Sequence, residues 1–120
     1  MTTPGEGAPG SPESPIGAVV AGMQQRLERL PARLSHHRVF LSTYQRTTEA
    51  VAEAVEAGSF EDPGWVEVWD VAFASLYLAA LDAELDGGDN ASRPWRLTFT
   101  APPDLPPLRH VLLGINAHIN

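Results

Sequence analysis

The stretch from Asp62 to Leu85 limits most strongly what this chain can fold into. Asp62 can cap a helix, and Pro63 suits the first turn because proline has no N–H to lose there. A helix that is apolar on every side is normally buried in the middle of a fold, so we expect this one to form the centre of the core. The apolar residues that surround it are Trp65, Val66, Val68, Trp69, Val71, Phe73, Leu76, Tyr77, Leu78 and Leu81.

Asp70 interrupts this apolar run. A carboxylate in such a place is costly unless it is paired or hydrogen-bonded. We therefore expect Asp70 to face a polar group on another helix, and we take it as a candidate site residue.

Two amphipathic helices precede this stretch. Ser14 and Pro15 begin the first, and its apolar seam is expected to be Ile16, Val20, Met23, Leu27, Leu30 and Leu34. Ser35 is expected to cap the second helix, which would run to about Ala57 and stop at Gly58. Its expected buried stripe is Phe40, Tyr44, Thr47, Val51, and Val55 or Ala54.

His36 and His37 lie in the first turn of this second helix. Adjacent helical residues point about 100° apart, so the two rings would not readily share one metal ion. We interpret both as surface histidines.

The segment after the central helix begins with a loop over residues 86–92, which is rich in Gly, Asp and Asn and does not match the spacing of a calcium loop. Residues 94–101 alternate like a strand, but a lone strand would have no partner for its backbone. We expect a short helix or an extended segment that packs Trp95 and Phe99 into the core. Four prolines then make residues 102–107 an irregular connector.

The last helix, which begins near Pro106 or Pro107, has an unusual polar side. Its apolar face is expected to be Val111, Leu112, Ile115 and Ile119. The rest of its circumference carries Arg109, His110, Gly114, Asn116, His118 and Asn120. Asn, His and Gly are poor helix formers, so their concentration here is contrary to the usual helix propensity and indicates a site.

The composition excludes several functions. There is no cysteine, which excludes disulfides, thiolate catalysis and cysteine-ligated metals. The net charge is −7, and the eight basic residues are scattered arginines, which argues against binding to nucleic acid. The longest apolar run, Val71 to Leu81, is too short to span a membrane, and no signal peptide is recognisable. We expect a cytoplasmic protein.

No nucleotide-binding glycine motif and no G-x-S-x-G serine motif occurs in the sequence. Little in residues 1–13 can be buried, so we expect a disordered Pro/Gly-rich tail there. Residues 14–120 are expected to form an all-α domain, a small bundle of about four helices.

Three strings of the sequence resemble a known family: PPLRHVLLGINAHIN, FEDPGWVEVWDVAFASLY and RPWRLTF. The family is uncharacterised, is common in actinobacteria and is known only as a domain of unknown function. The resemblance covers about Arg38 to Asn120, and it implies an all-helical fold but no established reaction. Its members continue past the second Asn of the first string, so this chain resembles a C-terminally truncated member. We therefore expect an incomplete domain that forms a homo-oligomer or lacks its C-terminal half.

The sequence suggests one candidate site between the central and last helices. Asp70 and His118 are the candidate catalytic residues, and the candidate substrate-binding residues are Tyr77, Arg109, His110, Asn116 and Asn120. His110 and His118 are eight residues apart, about 12 Å along a helix, which is too far for both to bind one metal ion. A divalent metal would instead need His118, Asp70 and an acid beyond the present end of the chain.

Two hypotheses remain open for these residues. In the first, the protein is a structural or binding module in which Asp70, Tyr77, Arg109, Asn116 and His118 satisfy one another in a buried polar network. In the second, it is an enzyme or metal-binding protein that acts on a small molecule, with His118 as general base or ligand and Asp70 as its partner.

Overall fold

Five α-helices and one 3-10 helix form the fold in the computed structural model, which describes residues 14–87 and 92–119. They are α1 (Pro15–Glu28), the 3-10 helix (Ala32–His37), α2 (Arg38–Glu56), α3 (Pro63–Leu85), α4 (Arg93–Phe99) and α5 (Pro107–Ile119). The described residues contain no strand, so the expected all-α fold is confirmed, although the expected number of about four helices is one too low. The expected tail over residues 1–13 and Asn120 lie outside the described residues.

Local sequence signals set the ends of the long helices. The Ser14 hydroxyl accepts a hydrogen bond of 3.0 Å from the Gly17 amide at the start of α1. The Asp62 carboxylate does the same for the Trp65 amide, at 3.1 Å, at the start of α3. Gly58 has φ +75° just after α2, a conformation that glycine adopts without a steric penalty. The expected caps of α1 and α3 and the expected stop after α2 are therefore confirmed.

The start of α2 differs from the expectation. Ser35 lies inside the 3-10 helix, and α2 begins only at Arg38. Because a 3-10 helix has three residues per turn instead of 3.6, it changes which side chains point inward. His37 is fully buried, so its interpretation as a surface residue was wrong, and His36 is half-buried. The buried residues of α2 are Phe40, Leu41, Thr48, Ala52 and Val55.

The central helix α3 is buried only along its second half, so the expectation that it is buried on every side was wrong. Its buried residues are Ala74, Tyr77, Leu78 and Leu81, whereas Trp65, Val68, Trp69, Phe73 and Leu76 are exposed. The reason is one of length, because α1 has 14 residues and α3 has 23, so α1 cannot cover all of α3. By length and composition alone, α3 is the one helix in the described residues that could cross a membrane, a test that core helices also pass.

Ion pairs connect α1 and the 3-10 helix to the buried half of α3. The Arg26 guanidinium donates two hydrogen bonds of 2.7 Å to the two carboxylate oxygens of Asp82. Arg33 donates to the Glu84 carboxylate at 2.6 Å and to the Glu84 backbone carbonyl at 2.8 Å. These contacts leave the first half of α3 free to form one wall of a cleft.

The last helix α5 lies with part of its small and polar side inward. Its buried residues are His110, Gly114 and Ala117, whereas the expected apolar face is largely exposed, with Leu112 54% and Ile119 75% accessible. Gly114 packs directly against the Phe40 ring of α2, an approach that only a residue without a Cβ permits. Close packing on α2 and α4 therefore decides the rotation of α5, and its apolar pattern does not.

The short helix α4 contributes aromatic residues to the core, as expected. Trp95 and Phe99 are buried, and their rings stack with centroids 5.7 Å apart. Trp95 also contacts the rings of Phe40 and Tyr77 at centroid distances of 5.9 and 5.0 Å. The core of this bundle is thus built around aromatic rings from α2, α3 and α4.

Candidate functional site

A cleft of about 400 Å³ lies between α2, α3 and α5, and we call it the α2–α3–α5 cleft. Its lining residues are Phe40, Thr43, Tyr44, Thr47, Asp70, Phe73, Val111, Ile115, His118 and Ile119. Asp70 and His118, the two residues expected to form the centre of a site, therefore line the same cleft. The uncovered first half of α3 supplies one wall, and α5 supplies another with side chains from Val111 to Ile119.

His118 is held in this cleft by two aromatic side chains. Its Nε2 atom lies 2.5 Å from the Tyr44 hydroxyl, and its ring stacks on Phe73 with centroids 3.7 Å apart and an interplanar angle of 12°. Burial lowers the pKa of the His118 imidazole, which favours its neutral form. The same burial raises the pKa of the Tyr44 hydroxyl, so the pair is neutral around pH 7.

Asp70 lacks the partner that the sequence analysis expected. Its Oδ2 atom is buried and has no hydrogen-bond partner among the residues that the structure describes. Burial raises the pKa of this carboxyl group, because the charged form loses hydration without gaining a partner. The lining residues of the cleft include no arginine, and the ion pairs of the described residues do not involve Asp70.

None of the other sequence-predicted residues that the structure describes lines the cleft, and Asn120 lies outside the described residues. Tyr77 is fully buried and forms a 2.7 Å hydrogen bond between its hydroxyl group and the Nε2 atom of His37. His110 is buried at the opposite end of α5, whereas Arg109 and Asn116 are exposed and do not line the cleft. The predicted set is thus divided, because His110 lies near the same line of α5 as His118 but about 12 Å away along the helix.

Sequence reasoning missed the role of α2 in this cleft. Tyr44 was expected only as a core residue, yet it is the hydrogen-bond partner of His118. Thr43 and Thr47 line the same wall. Thr43, Tyr44 and Thr47 occupy positions i, i+1 and i+4 of α2 and therefore share one face of the helix. Their hydroxyl groups form a polar strip beside Phe40, and this pattern could have identified the wall from the sequence.

A second cluster of imidazoles lies near the start of α5. The His36 and His110 rings are 5.0 Å apart between centroids, and His37 contacts the Phe99 ring at the same distance. Burial, with smaller contributions from His36 and His110, lowers the pKa of His37 to about 3. The described residues contain no group of three His, Asp or Glu side chains that could hold a metal ion.

Comparison with protein families gives one result. Residues 16–120 match the model of a family described as a family of unknown function, DUF5995. This match spans most of the chain and confirms the resemblance to an uncharacterised family that its sequence strings indicated. No match to the chain was found among curated proteins or among solved structures.

Proposed function

The chain belongs to this family of unknown function, and we propose that it is a binding module that holds a small organic cation in the α2–α3–α5 cleft. The observation that carries the proposal is the Asp70 carboxylate, whose Oδ2 atom is buried without a partner at the wall of this cleft. A buried acceptor without a hydrogen bond costs about 1–3 kcal/mol, so it is rarely retained without a use.

The lining of the cleft offers Asp70 no cationic partner. No arginine lines it, and the sequence contains no lysine. The hydroxyl group of Tyr44 and the imidazole of His118 already bond to each other. An ammonium group on a ligand would supply both a positive charge and hydrogen-bond donors to the carboxylate.

The walls around Asp70 suit the rest of such a ligand. Phe40, Tyr44 and Phe73 line the cleft with aromatic rings, a type of surface that attracts cations and accommodates apolar groups. A neighbouring pocket shares Asp70 and Phe73 with the cleft and adds the rings of Trp65 and Trp69. The volume of about 400 Å³ falls within the usual range for small-molecule sites. The ligand class is therefore an aromatic or alkyl amine.

A charge series of otherwise similar molecules tests this proposal. Phenylethylammonium, phenylethanol and phenylacetate are titrated into the protein, and binding is followed by NMR shifts of the residues that line the cleft. We expect the cation to bind about tenfold or more tighter than the alcohol, because a hydrogen bond to a charged group contributes about 1.5–3 kcal/mol. The acetate is expected to bind most weakly.

Asp70→Asn is expected to abolish the preference for the cation while binding of the alcohol is retained. Asp86→Asn is the matched control, since it removes the same charge at the exposed C-terminal end of the same helix. Equal affinities for the three probes in the wild type, or the same change in both variants, would refute the proposal.

A catalytic role for His118 is the second candidate. It is favoured by the lowered pKa of His118 and by its bond to Tyr44, which orients a neutral imidazole inside the cleft as a general base requires. Hydrolysis of nitrophenyl acetate tests it. A rate above that of free imidazole, lost in His118→Gln and kept in His36→Gln, would support catalysis. A rate equal to that of free imidazole would exclude it for this ester.

A further inference from the structure

The rings of His36 and His110 lie together at the N-terminal end of α5, and the proposed function does not use them. Each ring has at least one buried nitrogen without a hydrogen-bond partner in the described part of the chain. We propose that these two imidazoles together bind a divalent transition-metal ion of the class that prefers nitrogen ligands, namely Cu²⁺, Ni²⁺ or Zn²⁺.

The tautomer of His36 is fixed in the form that a metal ligand needs. Its Nε2 atom lies 2.9 Å from the backbone carbonyl oxygen of Phe99. A carbonyl oxygen can only accept, so Nε2 carries the proton and Nδ1 carries the free lone pair. Metal-binding histidines usually donate their second ring N–H to a carbonyl or carboxylate in this way. The Nδ1 atom of His36 is the buried atom that lacks a partner.

His110 supplies the second lone pair. The residue is only 3% exposed, and neither of its ring nitrogens has a partner among the described residues. A neutral imidazole always has one nitrogen with a lone pair and one with a proton. Two unsatisfied nitrogens in one buried ring are unfavourable, and a metal ion on one of them would remove half of that deficit.

The separation of the two rings fits a shared ion. For two metal–nitrogen bonds of about 2.0–2.1 Å at a tetrahedral angle, the two ring centroids lie roughly 5.2 Å apart. The observed separation between His36 and His110 is 5.0 Å, with the planes tilted by 46°. The tilt shows that the rings do not stack, in contrast to the parallel rings of Phe73 and His118.

The surroundings of the pair leave the other coordination positions open. Both rings line a cavity of about 440 Å³, together with Ser35 and Ser42. No carboxylate lines it, which disfavours Mg²⁺ and Ca²⁺. Arg38 is its one charged lining residue, and its guanidinium donates to the carbonyl oxygen of Leu27 at 3.1 Å. With two protein ligands and open positions, the ion would exchange readily and would take water or a small ligand.

Titration of zinc into the full chain, expressed without a histidine tag, tests the proposal. Calorimetry is expected to show one Zn²⁺ bound per chain. Heteronuclear NMR of the ring nitrogens in the wild type is expected to show shifts at Nδ1 of His36 and at one nitrogen of His110, while the Nε2 proton of His36 is retained. This measurement needs no substitution, so it stays decisive even if a buried variant does not fold.

Three variants complete the test. His36→Gln and His110→Gln are each expected to weaken zinc binding about tenfold or more, since even the loss of an outer-shell partner typically costs that much. His118→Gln is the control for zinc binding, because it removes a histidine from the other end of α5 and is expected to leave the affinity for zinc unchanged. Absence of binding, or binding that His36→Gln leaves intact, would overturn the proposal. Shifts of the same ring nitrogens with inorganic phosphate but not with zinc would overturn it in favour of an anion site.

Discussion

The contact between Gly114 and the Phe40 ring is the most demanding feature of the fold, and Gly114→Ala tests it. A Cβ atom built on Gly114 would lie 2.7 Å from the Cγ atom of Phe40 and still closer to the Cδ2 and Cε2 atoms of the same ring. Carbon atoms pack best at about 3.5–4.0 Å, so the overlap with Cγ alone is about 1 Å. The alanine cannot be accommodated without movement of the ring or of α5.

The Phe40 ring has little room to move. It is 5% exposed and contacts the rings of four other residues, namely His37, Tyr44, Tyr77 and Trp95. Overpacking of a core by one methyl group typically costs about 1–3 kcal/mol, and an overlap with three ring atoms places this site at the upper end. The higher helix propensity of alanine offsets about 1 kcal/mol. We therefore expect a net loss of about 2 kcal/mol in the free energy of unfolding.

Urea unfolding and thermal unfolding followed by circular dichroism measure this loss. A change of 2 kcal/mol corresponds to a decrease of about 8 °C in Tm for a chain of this size. Gly64→Ala is the matched control, because its Cβ would meet only an Asp62 oxygen at 3.8 Å, an ordinary contact. We expect Gly64→Ala to leave Tm unchanged or to raise it slightly.

A double-mutant cycle identifies the cause of the loss. Phe40→Leu removes the ring atoms that the new Cβ would meet, so Gly114→Ala should cost at least about 1 kcal/mol less in that background. The reasoning is refuted if Gly114→Ala alone is as stable as the wild type, or if the two substitutions are additive. In either case α5 would not be packed on α2 through this glycine.

Three further predictions follow from buried polar groups. Between pH 7 and 5.5 we expect the urea midpoint to fall, because the unfolded chain takes up protons near pH 6.5 that His37, with its pKa lowered to about 3, does not. This slope reaches about 1.4 kcal/mol per pH unit for one such group, and His37→Gln should reduce it. Asp70→Asn should leave the free energy of unfolding at pH 7 unchanged or higher, because burial disfavours the charged carboxylate and raises its pKa. A loss above about 1 kcal/mol would show that the Oδ2 atom of Asp70 has a partner. Tyr77→Phe should cost about 1–3 kcal/mol in denaturant unfolding, since it leaves the Nε2 atom of His37 without its partner.

Some parts of the fold were predictable because they depend on nearby residues. Ser14 and Asp62 cap their helices through side chains three positions before the amide that they accept from. The segment that forms α4 was predicted to be a short helix or an extended segment and not a strand, because a lone strand would leave its backbone unsatisfied. The start of α5 near Pro107 followed from the helix-compatible φ angle of proline.

The burial of each helix face was less predictable, because it depends on which other element of the fold covers that face. The first half of α3 has the composition of a core helix, but the short α1 covers only the second half. His37 is buried because a 3-10 helix precedes α2, and sequence periodicity did not distinguish this from an earlier start of α2. Asp70 and His118 stand out in the sequence because each is polar where an apolar or strongly helix-forming residue is expected, and both line one cleft. Tyr44, the partner of His118 on α2, was not predicted, because nothing in its local sequence is unusual.

The contact between Gly114 and Phe40 affects both sites, because it sets the position of α5. Gly114 lies four residues after His110 and four before His118, so all three fall near one line along the helix. The contact of Gly114 with Phe40 therefore sets the depth of both histidines at once. If Gly114→Ala pushes α5 away from α2, the bond between His118 and Tyr44 and the approach of His110 to His36 should both loosen. We expect this one variant to weaken the binding of phenylethylammonium and of zinc together, whereas His36→Gln should weaken zinc alone. If Gly114→Ala weakened the binding of only one of the two ligands, the two ends of α5 would be positioned independently.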